Sequence, residues 1–274
     1  MTAQRDVGAA MLSARIGDAI EKSRRGEVAV LPFLTPVQRK QAERELRTCG
    51  YREAAWFFGG YGTAERVCLF LLPEYLTAIL DIPLQECETD TLLALLGEDV
   101  TRAVTAVRIC GSGFRKLTHR DYLGAILGLG LERDALGDLA VQNEREAVLF
   151  CSQTIAAFLI ESLSKVGSDT VKCRLYTVDD SFTDGKVYAP ISATVASSRL
   201  DCVVAALTGL SREDAQSTIR SGLVEVEFEP SERVDLTLTP PATLSVRGYG
   251  RFVLRAFDGE TRKGRLRLRA DKLV

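Results

Sequence analysis

Residues 197–228, SSRLDCVVAALTGLSREDAQSTIRSGLVEVEF, leave little freedom in how this chain can fold. Ser198 predicts the cap of a helix. Its Leu200, Val203, Val204 and Leu207 fall at i, i+3, i+4 and i+7, one apolar face. Gly209 suits the left-handed residue that closes a helix. Ser211 predicts a second cap, with Asp214 three residues on as the short-armed partner of a capping box. Ala215 and Ile219 mark the buried side of that helix. After Ser221-Gly222, Val224, Val226 and Phe228 alternate with Glu225 and Glu227, which predicts a half-buried strand. Arg212, Gln216 and Arg220 recur every four residues and share one helix face. Two guanidiniums and an amide in a row can donate to successive phosphates, although three polar residues also make an ordinary solvated face.

Charge is distributed unevenly. Residues 244–274 hold nine Lys/Arg against three acids, whereas residues 1–196 hold 22 against 26, in a chain of net charge -2. A basic end on an acidic body predicts an oriented encounter with a polyanion. The basic end, VRGYGRFVLRAFDGETRKGRLRLRA, alternates as a hairpin does and predicts a turn from Asp258-Gly259 to Gly264. Arg262, Lys263, Arg265 and Arg267, with Arg247 and Arg251 in the preceding strand, are its candidate phosphate contacts. They are expected to form one strip with Arg212 and Arg220. Seven scattered cysteines without C-x-x-C predict reduced, buried thiols in a cytoplasmic protein. The single histidine has no cysteine near it, so no metal site or cofactor is expected. No apolar run reaches membrane-spanning length and the first 15 residues lack a signal-peptide core, so no membrane is expected as a partner.

The length of 274 residues predicts two or three modest domains. Helices are expected at 5–25 and from Pro36 to about Thr48, and strands at 54–58 and 67–71 joined through Gly59-Gly60-Tyr61-Gly62. Residues 81–98 are polar and mixed, and a boundary is placed there. From 99 to 180 the expected order is strand (102–110), helix (119–129), strands (138–142 and 146–151), helix (152–165), strand (170–178). That is the split βαβ order of RNA-recognition-type domains, here without their base-stacking aromatics. The fold class is therefore α+β. The expected organisation is an N-terminal αβ domain at 1–90, an RRM-like domain at 91–180, a linker at 181–196, and a domain at 197–274.

Catalytic signatures fail one by one. Lys116 occupies the place of the third glycine after Gly111-Ser112-Gly113, so no dinucleotide loop is formed. His119-Arg120-Asp121 has three letters of the kinase catalytic loop, but Ile126 stands where Asn is needed. What remains at 111–124 is a basic cluster, Arg115, Lys116, His119 and Arg120, at a helix start capped by Thr118. It could contact an anion or RNA, or serve capping and packing alone.

The string carried by Arg199, Leu200, Asp201, Ser211, Arg212, Ala215, Gln216, Ile219, Gly222, Val224 and Val226 resembles the S4 RNA-binding domain, or αL motif. The resemblance implies an RNA-facing surface at Arg199, Ser211, Arg212, Gln216 and Arg220. Glu227 and Glu229 depart from the family's strand, which implies that the helices hold RNA and the strand tip does not. Nearly the whole chain is similar to the bacterial YlmH family, through FLTPVQRKQAERELRTCGY, FFGGYGTAERVCLFLLPEYL and GSGFRKLTHRDYLGAILGLGLERDALGDL in that order. This resemblance implies a cytoplasmic protein on the large ribosomal subunit, bound to ribosomal RNA and tRNA, with protein partners in translation or cell division. It further implies a role in rescuing subunits stalled with peptidyl-tRNA. The expected function is a non-enzymatic RNA-binding factor. The alternatives are an RNA-modifying enzyme using the His119 region and a cell-division adaptor whose RNA binding is secondary.

Overall fold

Capping and burial patterns set the elements of the first unit. The structure is a computed structural model describing residues 2–80, 82, 84–179 and 181–274, with side chains from residue 7 onward. The chain divides into two units, Met1–Gly185 and Lys186–Val274. Helix α1 (Thr2–Arg24) buries Leu12, Ile16, Ala19 and Ile20. Strand β1 (Ala29–Leu34) leads through Thr35 into α2 (Pro36–Thr48). There Thr35 and Gln38 form a complete capping box, with Gln38 N donating to Thr35 Oγ1 at 3.3 Å and Thr35 N to Gln38 Oε1 at 2.8 Å. Strands β2 (Ala55–Phe58) and β3 (Val67–Leu71) complete an antiparallel sheet of order β1-β3-β2, with β3 buried at every position. A short α3 (Glu74–Ile79) follows.

The stretch expected as a boundary near 81–98 holds α4 (Thr89–Ala103), which buries Leu92, Leu96 and Val100. Gly97, at φ 5° and ψ -77°, kinks it. Next come β4 (Thr105–Gly111), α5 (His119–Leu127), β5 (Leu136–Val141), β6 (Glu146–Cys151), α6 (Gln153–Ser162), β7 (Lys165–Val166) and β8 (Asp169–Tyr176). Their sheet runs β5-β6-β4-β8-β7, the split βαβ order expected. Alternation divides the two faces. Val107, Ile109, Ala147, Leu149 and Cys151 pack on α5 and α6 in one cluster. Ala106, Val148 and Phe150 join Phe33, Cys68, Phe70, Leu92 and Leu96 in another. The parts before and after residue 90 therefore share an apolar core and lie in a single unit.

In the second unit, the stretch expected as a linker contributes β9 (Tyr188–Val195), paired along its whole length with β14 (Leu266–Leu273). Its alternating burial is hidden in sequence by Pro190 and by small residues. Helices α7 (Leu200–Thr208) and α8 (Arg212–Arg220) precede β10 (Val224–Val226), β11 (Glu229–Pro230), β12 (Ala242–Val246) and β13 (Gly250–Glu260). The antiparallel order is β11-β10-β12-β13-β14-β9. Val203, Val204, Leu207, Ala215 and Ile219 of the helices pack on Leu244, Phe252, Leu254 and Leu268 of the sheet. Phe228 does not extend β10. Glu227 and Phe228 take φ of 53° and 67° as the two turn residues between β10 and β11. The whole is α+β.

Candidate nucleic-acid interface

Asp201 lies in the first turn of an otherwise apolar α7, and its side chain has no exposed surface. Arg199, at the N-cap position, donates from Nε at 3.1 Å and Nη2 at 3.4 Å. Arg212 Nε reaches the same carboxylate from α8 at 3.0 Å and Gln216 Nε2 at 2.8 Å, while Cys202 N adds 3.0 Å. Burial alone would raise the Asp201 pKa. The donors from Arg199, Gln216 and Arg212 override it and hold the carboxyl well below the ordinary carboxylate range. The spacing of four thus has a first use inside the unit: it turns two of the three stripe residues toward α7. Arg212 is still 57% exposed. With Nε spent on Asp201, its terminal amino nitrogens are what it can offer a phosphate, and Asp201 fixes where they stand. Arg220 closes α8 and is exposed. Ser211 is the N-cap of α8, accepting from Asp214 N at 3.1 Å and donating to its carboxylate at 2.7 Å, so its hydroxyl is occupied locally.

The basic end divides. Leu268 and Ala270 face the helices, so Arg267 and Arg269 point from the opposite face of the sheet. Arg269 pairs with Asp258 at 3.1 Å, Arg255 with Asp271 at 2.6 Å, and Arg251 lies 5.2 Å over the Phe228 ring. Arg247 sits in the β12–β13 turn. Arg262 and Lys263 are exposed at the β13–β14 turn, where Gly264 has φ 69°. Arg265 donates to Thr194 O at 2.8 Å. The expected single strip running from Arg267 to Arg212 and Arg220 is not formed. The period-2 geometry of β14 puts Arg267 on the face away from α7 and α8.

At the α5 start, Thr118 and Asp121 make a capping box, with Thr118 N donating at 2.8 Å and Asp121 N at 3.4 Å. Those bonds and Arg115, 3.0 Å away, hold the Asp121 pKa below its ordinary value. Lys116 pairs with Glu144 at 2.8 Å. Loss of solvent around the ring and the Arg133 cation lower the His119 pKa, with Asp138 opposing them. Among the described residues no group of acids, cysteines and histidine could hold a metal, and no helix is long and apolar enough to cross a membrane. None of the seven cysteines forms a disulfide, and burial pushes Cys68 and Cys151 up to about 12.

Residues 101–180 match a family model described as "Putative RNA-binding domain in YlmH". The "Ribosome-associated protein quality control protein P2" of Bacillus subtilis is 31% identical over 212 residues, 77% of this chain and 75% of that protein. The chain belongs to the YlmH family. A solved structure, the "Cell division protein ylmH from Streptococcus pneumoniae", is similar at 21% identity and a TM-score of 0.47, over 63% of this chain and 91% of that one.

The YlmH string at 58–66 has a structural use that sequence reasoning missed. Asp138 on β5 accepts from Tyr61 Oη at 2.7 Å, Glu65 N at 2.7 Å and Arg66 N at 3.2 Å. Arg66, 8% exposed, donates to Leu136 O at 2.7 Å and Arg133 O at 3.2 Å. Gly60, at φ 102°, lies against the Phe150 ring, where an added Cβ would stand 2.2 Å from it. The string latches the β2–β3 loop onto the central sheet. The available signal was the glycine-rich Gly59-Gly60-Tyr61-Gly62 with Glu65-Arg66 directly before the apolar run 67–72. The latch also closes much of the sheet face that RNA-recognition domains use for stacking. Phe150 packs on Tyr61 at 5.1 Å and Phe182 at 5.7 Å, and Tyr176 lies under the Arg108 guanidinium at 4.0 Å.

Proposed function

We propose that this chain is a non-enzymatic, cytoplasmic RNA-binding factor of the large ribosomal subunit, acting in quality control of subunits stalled with peptidyl-tRNA. The observation that carries the proposal is the pair of guanidiniums, Arg199 and Arg212, held by the buried Asp201 carboxylate. Fixed donors lose less freedom when they meet a phosphate. The family match at 101–180 and the name of the B. subtilis relative point the same way. Folded RNA hides its deep groove from side chains, so recognition through shape and backbone fits a surface of arginines better than a surface of base-reading amides. Arg199, Arg212 and Arg220 form the first contact. Arg262, Lys263 and Arg265 form a second contact with the phosphate backbone, and Arg247, Arg251 and Arg267 add charge to the rest of the unit.

Sedimentation of the tagged chain with ribosomal fractions, followed by crosslink mapping, tests this reading. The chain should travel with large subunits and crosslink to ribosomal RNA and tRNA through residues 197–274. A chain that stays at the top of the gradient, or keeps its partners after ribonuclease treatment, would point instead to a protein adaptor.

A further inference from the structure

Among the described residues Phe114 is the most exposed large apolar side chain, at 88%. It stands in the loop between β4 and α5, and that loop is pinned at its base. The Ser112 hydroxyl donates to the Asp169 carboxylate, which is 1% exposed, and accepts from Phe114 N at 3.3 Å. Ser112 N bonds Thr170 O at 3.0 Å, Gly111 N bonds Arg145 O at 2.7 Å, and Leu117 N bonds Glu144 O at 2.9 Å. Leu117 itself is buried. Gly113, at φ 86°, makes the turn and leaves room for the Arg145 side chain, whose Cδ would lie 2.7 Å from an added Cβ. These bonds fix the loop backbone, and the ring stands in solvent.

The surroundings select the partner. No other exposed large apolar side chain belongs to this loop or to α5 among the described residues, so the loop and α5 themselves offer no apolar patch beside the ring. Arg145 lies against Gly113, and Arg115, Lys116 and Arg120 follow in sequence, with Arg115 paired to Asp121 and Lys116 to Glu144. The Lys116–Glu144 pair is exposed on both sides and worth little, so it costs little for Lys116 to turn to a phosphate. An aromatic face among basic side chains is the chemistry that holds single-stranded nucleotides. The stacking positions of the sheet, meanwhile, are taken by protein contacts.

Resting on the RNA-binding reading above, we propose that Phe114 is a stacking platform for an unpaired base, with Arg145, Lys116 and Arg120 receiving the adjacent phosphates. The test uses the full chain and two RNA probes of equal length, a hairpin with an unpaired loop and a perfect duplex. Phe114→Ala and Phe114→Leu should each weaken hairpin binding about tenfold or more and leave duplex binding unchanged, and Phe114→Trp should retain it. The side chain is exposed, so folding is not at risk, and thermal unfolding confirms it. If Phe114→Ala binds the hairpin as wild type does while Arg212→Gln with Arg220→Ala weakens it, the stacking platform is wrong and the RNA reading stands. If Phe114→Leu matches wild type, the contact is apolar and not stacking, which also overturns the proposal. Wild type binding neither probe overturns both readings.

Discussion

A carboxylate with no exposed surface costs several kcal/mol unless donors surround it, and Asp201 meets that requirement with three side chains and one backbone N–H. Asp201→Asn keeps the shape but loses its charge-assisted bonds, each worth about 1.5–3 kcal/mol. Arg199 and Arg212 stay 39% and 57% exposed and regain water, so the net loss at pH 7 should be about 2 kcal/mol, read by urea unfolding. The pH dependence has a defined sign. The folded pKa of Asp201 is depressed, so its stabilisation is complete above the unfolded value of about 3.9 and fades as pH falls below it. The gap between wild type and variant should therefore narrow on acidification below about pH 4. At His119 a lowered pKa means a neutral ring at pH 7. His119→Gln should leave RNA affinity between pH 7 and 8 unchanged, and a new pH limb in the wild type alone would revive an acid–base role. Much of this scale was legible: the R-L-D and S-R-x-x-A-Q letters named the residues. What they did not show is that Asp201 is the centre of the group, because a buried acid and a surface acid look alike until its donors are placed.

Elements with strong periodicity were readable, as α7, α8 and the split βαβ order show. Those whose pattern is interrupted were not. Pro190 masked β9, and the two left-handed residues Glu227 and Phe228 ended β10 early. The β2–β3 loop was legible only as a string, since its seat on Phe150 is a contact distant in sequence. That seat predicts a sharp contrast between glycines. Gly60→Ala combines a positive φ with a Cβ 2.2 Å from a buried ring, and should cost at least about 3 kcal/mol by chemical denaturation. Gly17→Ala, inside α1 with nothing within 4 Å of the added atom, should stabilise by about 0.5–1 kcal/mol. An unchanged midpoint for Gly60→Ala would mean that the loop does not rest on the sheet.

For the whole molecule the question is how its charge meets a polyanion. The second unit carries cations on both sides of one sheet, and the β13–β14 turn extends them beyond it. Neutralising Arg262, Lys263 and Arg265 should flatten the slope of log affinity against log salt by roughly two units, at about 0.7 per phosphate contact on the single-strand scale. If the turn only guards the sheet edge, the slope stays and the variant aggregates. The most direct measurement is the affinity of Arg212→Gln with Arg220→Ala for purified large subunits, at three salt concentrations, beside wild type. The glutamine keeps a donor for Asp201 but not its charge, so the unit should still unfold in one cooperative step, at a modestly lowered midpoint. Losing two charge-assisted phosphate bonds should weaken binding at least about a hundredfold and flatten the salt slope. A folded double variant with wild-type affinity and slope would contradict the assignment of the α7–α8 surface to RNA.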